Sequence, residues 1–216
     1  MNDKTYSLLL KSRVFPDIEQ QVAFWNRRFS GIGDIDRRAL GGPTSGQSIQ
    51  VCFPRVRVLS DGNALLYGTL RIREVLNALC EETGTGLCDD SDFFRPDVLK
   101  REGERVRSFE DRFNTQDSNL IVAFVQFWML NASLKLPENQ LPMSISIASA
   151  LLCMVQGGPR NLWGGGFEEH WFCCLGSPAV YGGFPCFDTF GNSLCVTPRE
   201  YIGKPERLGG VASIFV

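Results

Sequence analysis

Asp61-Gly62-Asn63-Ala64, His170 and Asp188 are the residues whose types and spacing could support nucleophilic chemistry. A tight Asp-Gly-Asn turn that opens into a helix presents free backbone N–H groups and the positive end of the helix dipole. Cysteine nucleophiles are often placed there, because both effects stabilise a thiolate and the oxyanion formed after attack. The residue at that place is Ala64, which has no reactive group. The same turn also reads as ordinary cap chemistry, with Gly or Asn at positive φ and Asp or Asn capping.

His170 is the only histidine in the chain, so general-base work at neutral pH falls to it or to nothing. Asp188 follows 18 residues later. A two-stranded hairpin of that length can bring the carboxylate beside the ring and fix its tautomer. The plain alternative is a strand-end histidine and a turn aspartate.

The elements that must position these residues follow from hydrophobic spacing. The spacing predicts a helix over Ile18–Phe29 and an exposed loop over Ser30–Gln47. Two short extended pieces, Ser48–Cys52 and Val56–Leu59, are separated by Pro54. Leu65, Leu66, Leu70, Ile72 and Val75 predict a helix from about Ala64 to about Glu81, closed by Thr83-Gly84-Thr85-Gly86. Residues 87–118 are polar and charged and read as a solvated helical face, with a binding surface as the alternative. Leu120–Leu134 is dense enough in apolar residues to predict a buried helix, and Ser144–Val155 a second, stopped by Gly157-Gly158-Pro159. Trp171–Leu175, Phe184–Phe187 and Ser193–Val196 read as strands of an antiparallel hairpin or meander, with a turn over Asp188–Asn192. The expected class is α+β, helices first and a C-terminal antiparallel sheet after. Residues 1–216 are expected to form one domain, with 1–47 as an N-terminal helix and loop extension.

Composition narrows the function classes. A chain of 216 residues with 44% hydrophobic and 21% charged residues is an ordinary globular composition. A net charge of −2 provides no basic field for nucleic acid. No stretch approaches the apolar length of a membrane span, and the N-terminus lacks a signal-peptide pattern, so a cytoplasmic protein without nucleic-acid or membrane partners is expected. The eight cysteines contain no C-x-x-C pair and several lie in apolar runs. They are expected as reduced core residues, with no metal and no cofactor.

Asp61-Gly62-Asn63-Ala64-Leu65 resembles the Asp-Gly-Asn-Cys-Leu/Phe box of the ovarian-tumour-type (OTU) deubiquitinases, with Ala in place of the nucleophilic Cys. Arg71 or Arg73 fits the arginine commonly found down the helix in that family. The order nucleophile, His, Asp is similar to that of papain-like thiol proteases in general. The resemblance implies a papain-like or OTU-like fold and cleavage of isopeptide or peptide bonds at the C-terminal glycine of ubiquitin or a ubiquitin-like protein by a monomer. It assigns Ala64 to the nucleophile position, His170 to the base and Asp188 to its orienter. It also assigns Asp61, Gly62 and Asn63 to the oxyanion loop and Trp171 to the substrate-binding residues.

The pattern departs from the family beyond the missing thiol. Trp163-Gly164-Gly165 resembles an element that usually lies well upstream of the histidine, yet here it is only 7 residues away. The hairpin His170-Trp171…Phe187-Asp188-Thr189-Phe190-Gly191 also looks like that of adenovirus-type and SUMO-protease-type thiol proteases, which carry their Cys downstream of the Asp. A divergent bacterial-effector or viral type is implied, acting in the cytoplasm, including a host cytoplasm. Ala64 then marks either an engineered, substrate-trapping Cys→Ala change or a natural pseudoenzyme that still binds ubiquitin. Two alternatives stand beside these: a native thiol such as Cys195 used with the His–Asp pair, and a non-catalytic binding module working through the charged stretch 95–112. Glu168, Glu169, Asp89 and Asp90 are candidates to receive the arginine of a ubiquitin-type tail.

Overall fold

The structure is a computed structural model that describes residues 15–28, 32–35, 48–58, 64–66, 71–89, 91–110, 118–129, 135–155, 170–190, 193–199 and 208–215. Helix α1 (Ile18–Arg28) begins at a reciprocal box in which Gln20 N donates to Asp17 Oδ1 and Asp17 N donates to Gln20 Oε1. Its buried face docks on strand β1 (Ile49–Pro54) through polar as well as apolar groups. The Gln21 amide accepts from Cys52 N at 2.8 Å and donates to Gln50 O at 2.9 Å, and Trp25 Nε1 donates to Cys52 O. Gln21 thus imitates a neighbouring strand and covers a sheet edge that would otherwise expose free backbone groups. Helix α1 and the described residues 32–35 are therefore part of the main core, with Trp25 and Ile32 buried in it.

Strand β2 (Val56–Val58) pairs with β3 (Ala64–Leu66) in a two-stranded antiparallel sheet, with Val58 opposite Ala64. This corrects the helix expected from Ala64. The helix of this region, α2, spans Ile72–Thr83, and Arg71 N donates to the Glu74 carboxylate at its start. Leu65 and Leu66 suit a strand as well as a helix, and pairing with Val56 and Arg57 decides between the two. At its other end Gly84 adopts φ +66° and donates to the Cys80 and Glu81 carbonyls, as its position in the turn requires.

Strand β4 (Gly86–Asp89) and a short 3₁₀ turn (Ser91–Phe94) lead to helix α3 (Pro96–Glu110), which carries the charged stretch. Strand β5 (Leu120–Met129) replaces the helix expected over Leu120–Leu134. A continuous run of β-branched and aromatic residues has no period that separates a buried helix from a strand buried on both faces. Here β5 is an interior strand, antiparallel to β1 on one side and to β10 (Leu208–Phe215) on the other. Strand β6 (Gln140–Pro142) precedes α4 (Ile145–Cys153), which fits the predicted apolar helix.

The C-terminal strands are β7 (His170–Cys173), β8 (Phe184–Phe190) and β9 (Ser193–Arg199). Strand β8 continues through Asp188 to Phe190, so Asp188 is a strand residue and does not open a turn. The sheet order is β1-β5-β10-β7-β8-β9-β4, with β6 also on β10. The α+β class holds, but the sheet is mixed: β10–β7 and β9–β4 are parallel. Its described strands come from Ile49 through Phe215 and alternate with the helices, so helices and sheet are not segregated as expected. One face contributes Phe187, Leu194 and Val196 to the core shared with α2 and α4. Cys173 and Cys186 form a smaller cluster with Trp128, Leu175 and Phe184.

Candidate functional site

The β7–β8 hairpin is closed at its tip by Val180 and Gly183, which exchange backbone hydrogen bonds of 2.8 and 2.9 Å around Tyr181-Gly182. Both central residues have positive φ, +50° and +82°, the geometry that matches strand twist in a two-residue turn. The ladder pairs Cys173 with Cys186 and Phe172 with Phe187. Carried one step further, that register sets Trp171 opposite Asp188 and His170 opposite Thr189. His170 and Asp188 thus lie on adjacent strands at positions of opposite parity along the pleat.

His170 opens β7, as expected, and is registered with Leu208 of β10, while Trp171 is registered with Gly209. Asp188 is registered with Cys195 of β9. Ala64 belongs to the separate two-stranded sheet and starts a strand, so the helix-dipole argument does not apply to it. Asp61, Gly62 and Asn63 lie outside the described residues, as do Trp163-Gly164-Gly165, Glu168, Glu169 and Asp90. The structure therefore brings His170, Trp171 and Asp188 to neighbouring strands and leaves Ala64 on a different sheet.

A second polar constellation was not found from the sequence. Helix α4 presents three N-terminal backbone donors, and each has a side-chain acceptor from a different part of the chain. Ile145 N donates to Ser177 Oγ at 2.8 Å, Ser146 N to Glu102 Oε1 at 3.1 Å, and Ile147 N to the N-cap Ser144 Oγ. Ser146 Oγ also donates to Glu102 Oε1, at 2.7 Å. Glu102 is 1% exposed and its Oε2 has no hydrogen-bond partner. Ser144-x-Ser146 ahead of an apolar run was the local signal, but Glu102 lies 44 residues away in sequence. Beside this junction a cleft of about 260 Å³ is lined by Arg105, Ser108, Leu141, Ser144, Ile147 and Leu175 among others. Arg105 Nη1 is used there to hold Gly176 O at 3.2 Å. Gly176 itself cannot carry a side chain, since a Cβ would sit 2.3 Å from Pro142 O. The loop between β7 and β8 is thus fixed to α3, β6 and α4 at once.

The thiols divide by environment. Burial pushes Cys52 and Cys153 up to about 12 and raises Cys174 well above its ordinary value, so all three stay protonated at neutral pH. Cys80 is raised for the same reason, partly offset by the Thr85 hydroxyl. None of these is poised as a nucleophile. No group of three or more His, Cys, Asp or Glu among the described residues is placed to hold a metal ion. No described helix is long and apolar enough to cross a membrane. Compared with protein-family profiles, curated proteins and solved structures, the chain finds no match.

Proposed function

We propose that this chain carries a thiol-peptidase-type site of the OTU or papain-like class, directed at the C-terminal tail of ubiquitin or a ubiquitin-like protein. With Ala64 at the nucleophile position, it binds that tail without cleaving it. What supports this reading is that β7, which His170 opens, and β8, which carries Asp188, are neighbouring antiparallel strands, in the chain order that the resemblance implies. In the proposed chemistry a thiol at position 64 would attack the carbonyl carbon of the terminal glycine. His170 would take the thiol proton and return it to the leaving amine, and Asp188 would orient the imidazole. The registers of β7 on β10 and of β8 on β9 are continuous through His170 and Asp188 and set the two at opposite parity, so the orienting role given to Asp188 rests on the resemblance and not on the register. The assignment of Ala64 rests on the Asp61–Leu65 box alone.

The test is Ala64→Cys exposed to a ubiquitin bearing a C-terminal electrophile. The expected result is covalent labelling that is lost when His170→Ala is added. A folded Ala64→Cys protein that stays unlabelled, while a control deubiquitinase is labelled, overturns the assignment.

A further inference from the structure

The sheet register aligns four of the eight cysteines on one face. Cys173 is registered with Cys186, and Cys186 with Thr197, on whose strand Cys195 lies two residues earlier. Cys195 is in turn registered with Cys88. Registered partners share a face, and so do alternate residues of one strand. The row therefore runs Cys173, Cys186, Cys195, Cys88 across β7, β8, β9 and β4. Its inner members are buried, with Cys195 at 5% exposure, whereas Cys88 is exposed on the outermost strand of the order.

We propose that Cys88 and Cys195 form a hydroperoxide-responsive dithiol. Cys88 is the thiol an oxidant in solution can reach, and Cys195 is the resolving thiol beside it. Neighbouring strands lie about 4.8 Å apart, inside the roughly 4.4–6.8 Å range of Cα separations that a disulfide spans. In the first step the Cys88 thiolate attacks the peroxide, giving a sulfenic acid and releasing an alcohol, or water when the oxidant is hydrogen peroxide. In the second, the Cys195 sulfur attacks the Cys88 sulfur, a disulfide forms and the hydroxyl leaves as water. Two thiols are oxidised and one peroxide is reduced. The bond would staple β4 to β9 immediately beside Asp188, the other register partner of Cys195. Cys173 and Cys186 are also registered, but both are buried and neither offers the oxidant an entry. The inference stands on register and exposure and does not depend on the peptidase reading.

The experiment treats the reduced full chain with stoichiometric hydrogen peroxide, then alkylates, weighs and maps it. The expected result is loss of two of the eight alkylatable thiols and one cross-link joining the Cys88 and Cys195 peptides. Cys88→Ser, at an exposed position, should retain its fold by far-UV circular dichroism and lose the cross-link. Cys195→Ala should leave Cys88 as a sulfenic acid that dimedone captures. A cross-link between Cys173 and Cys186, a Cys88 sulfenic acid that persists in the unaltered chain, or unchanged thiol loss in Cys88→Ser would each overturn the proposal.

Discussion

Replacing Glu102 by alanine removes the acceptor that holds the second backbone donor of α4. Its Oε1 receives Ser146 N at 3.1 Å and Ser146 Oγ at 2.7 Å, in a site where Glu102 is 1% exposed. Alanine strands two buried donors, each worth about 1–3 kcal/mol when left unsatisfied. The backbone N–H cannot turn away and contributes about 1–3 kcal/mol, and the hydroxyl adds up to as much again unless it turns toward another acceptor, so the expected loss is about 2–5 kcal/mol. Glu102→Gln keeps an oxygen for Ser146 but places an amide nitrogen where Oε2 has no partner. Its expected cost is about 1–3 kcal/mol. Urea unfolding followed by far-UV circular dichroism, with the m-value compared across variants, measures both. A loss under about 1 kcal/mol for Glu102→Ala, or a Gln variant as costly as the Ala variant, would refute the reasoning. In the first case the carboxyl would not cap α4, and in the second carbonyl acceptance would not be what matters.

Two further predictions follow from the sheet and its turns. Burial raises Cys52 from 9.0 to about 12, so its contribution to stability is complete below pH 9 and is lost as pH rises from 9 towards 12. The loss is about 1.4 kcal/mol per pH unit, and Cys52→Val should flatten the stability profile by that slope in urea titrations above pH 9; parallel profiles would contradict it. Tyr181 is 73% exposed and holds φ +50°, a conformation that costs most residues with a Cβ but that Asn tolerates because its short amide hydrogen-bonds nearby backbone. Tyr181→Asn should therefore stabilise the hairpin by about 1 kcal/mol, read as a rise of a few degrees in Tm. An unchanged or lower Tm would show that the tyrosine ring makes contacts that outweigh the strain.

Legibility in the sequence followed the range of the forces involved. Helix α1 was readable because Val22 and Trp25 keep helical spacing after Pro16-Asp17, and α4 because an apolar run follows Ser144. The β7–β8 hairpin was readable from its alternating aromatics and its glycine turn, although β8 runs on through Asp188. Leu120–Met129 was misread because its apolar density fits either a buried helix or a strand buried on both faces. Ala64–Leu66 was misread because three residues carry no period, and their partner strand decides what they become. For the candidate site the sequence offers residue types and order, while register belongs to the sheet. That the Phe172–Phe187 ladder sets Asp188 opposite Trp171 and not opposite His170 is a one-residue matter, below what spacing can resolve.

By itself the sequence determined the α+β class, the helices α1 and α4, and which residue types could do chemistry, since these depend on neighbours within a few positions. Only the tertiary structure decided that β5 and β10 join the N-terminal strand to the C-terminal hairpin in one mixed sheet. It also decided that Glu102 and Ser177 meet at the start of α4, and that Cys88 is registered with Cys195. The physical reason is the same in each case. Backbone donors and acceptors must be satisfied wherever they are buried, and the partners that satisfy them come from segments that only folding brings together.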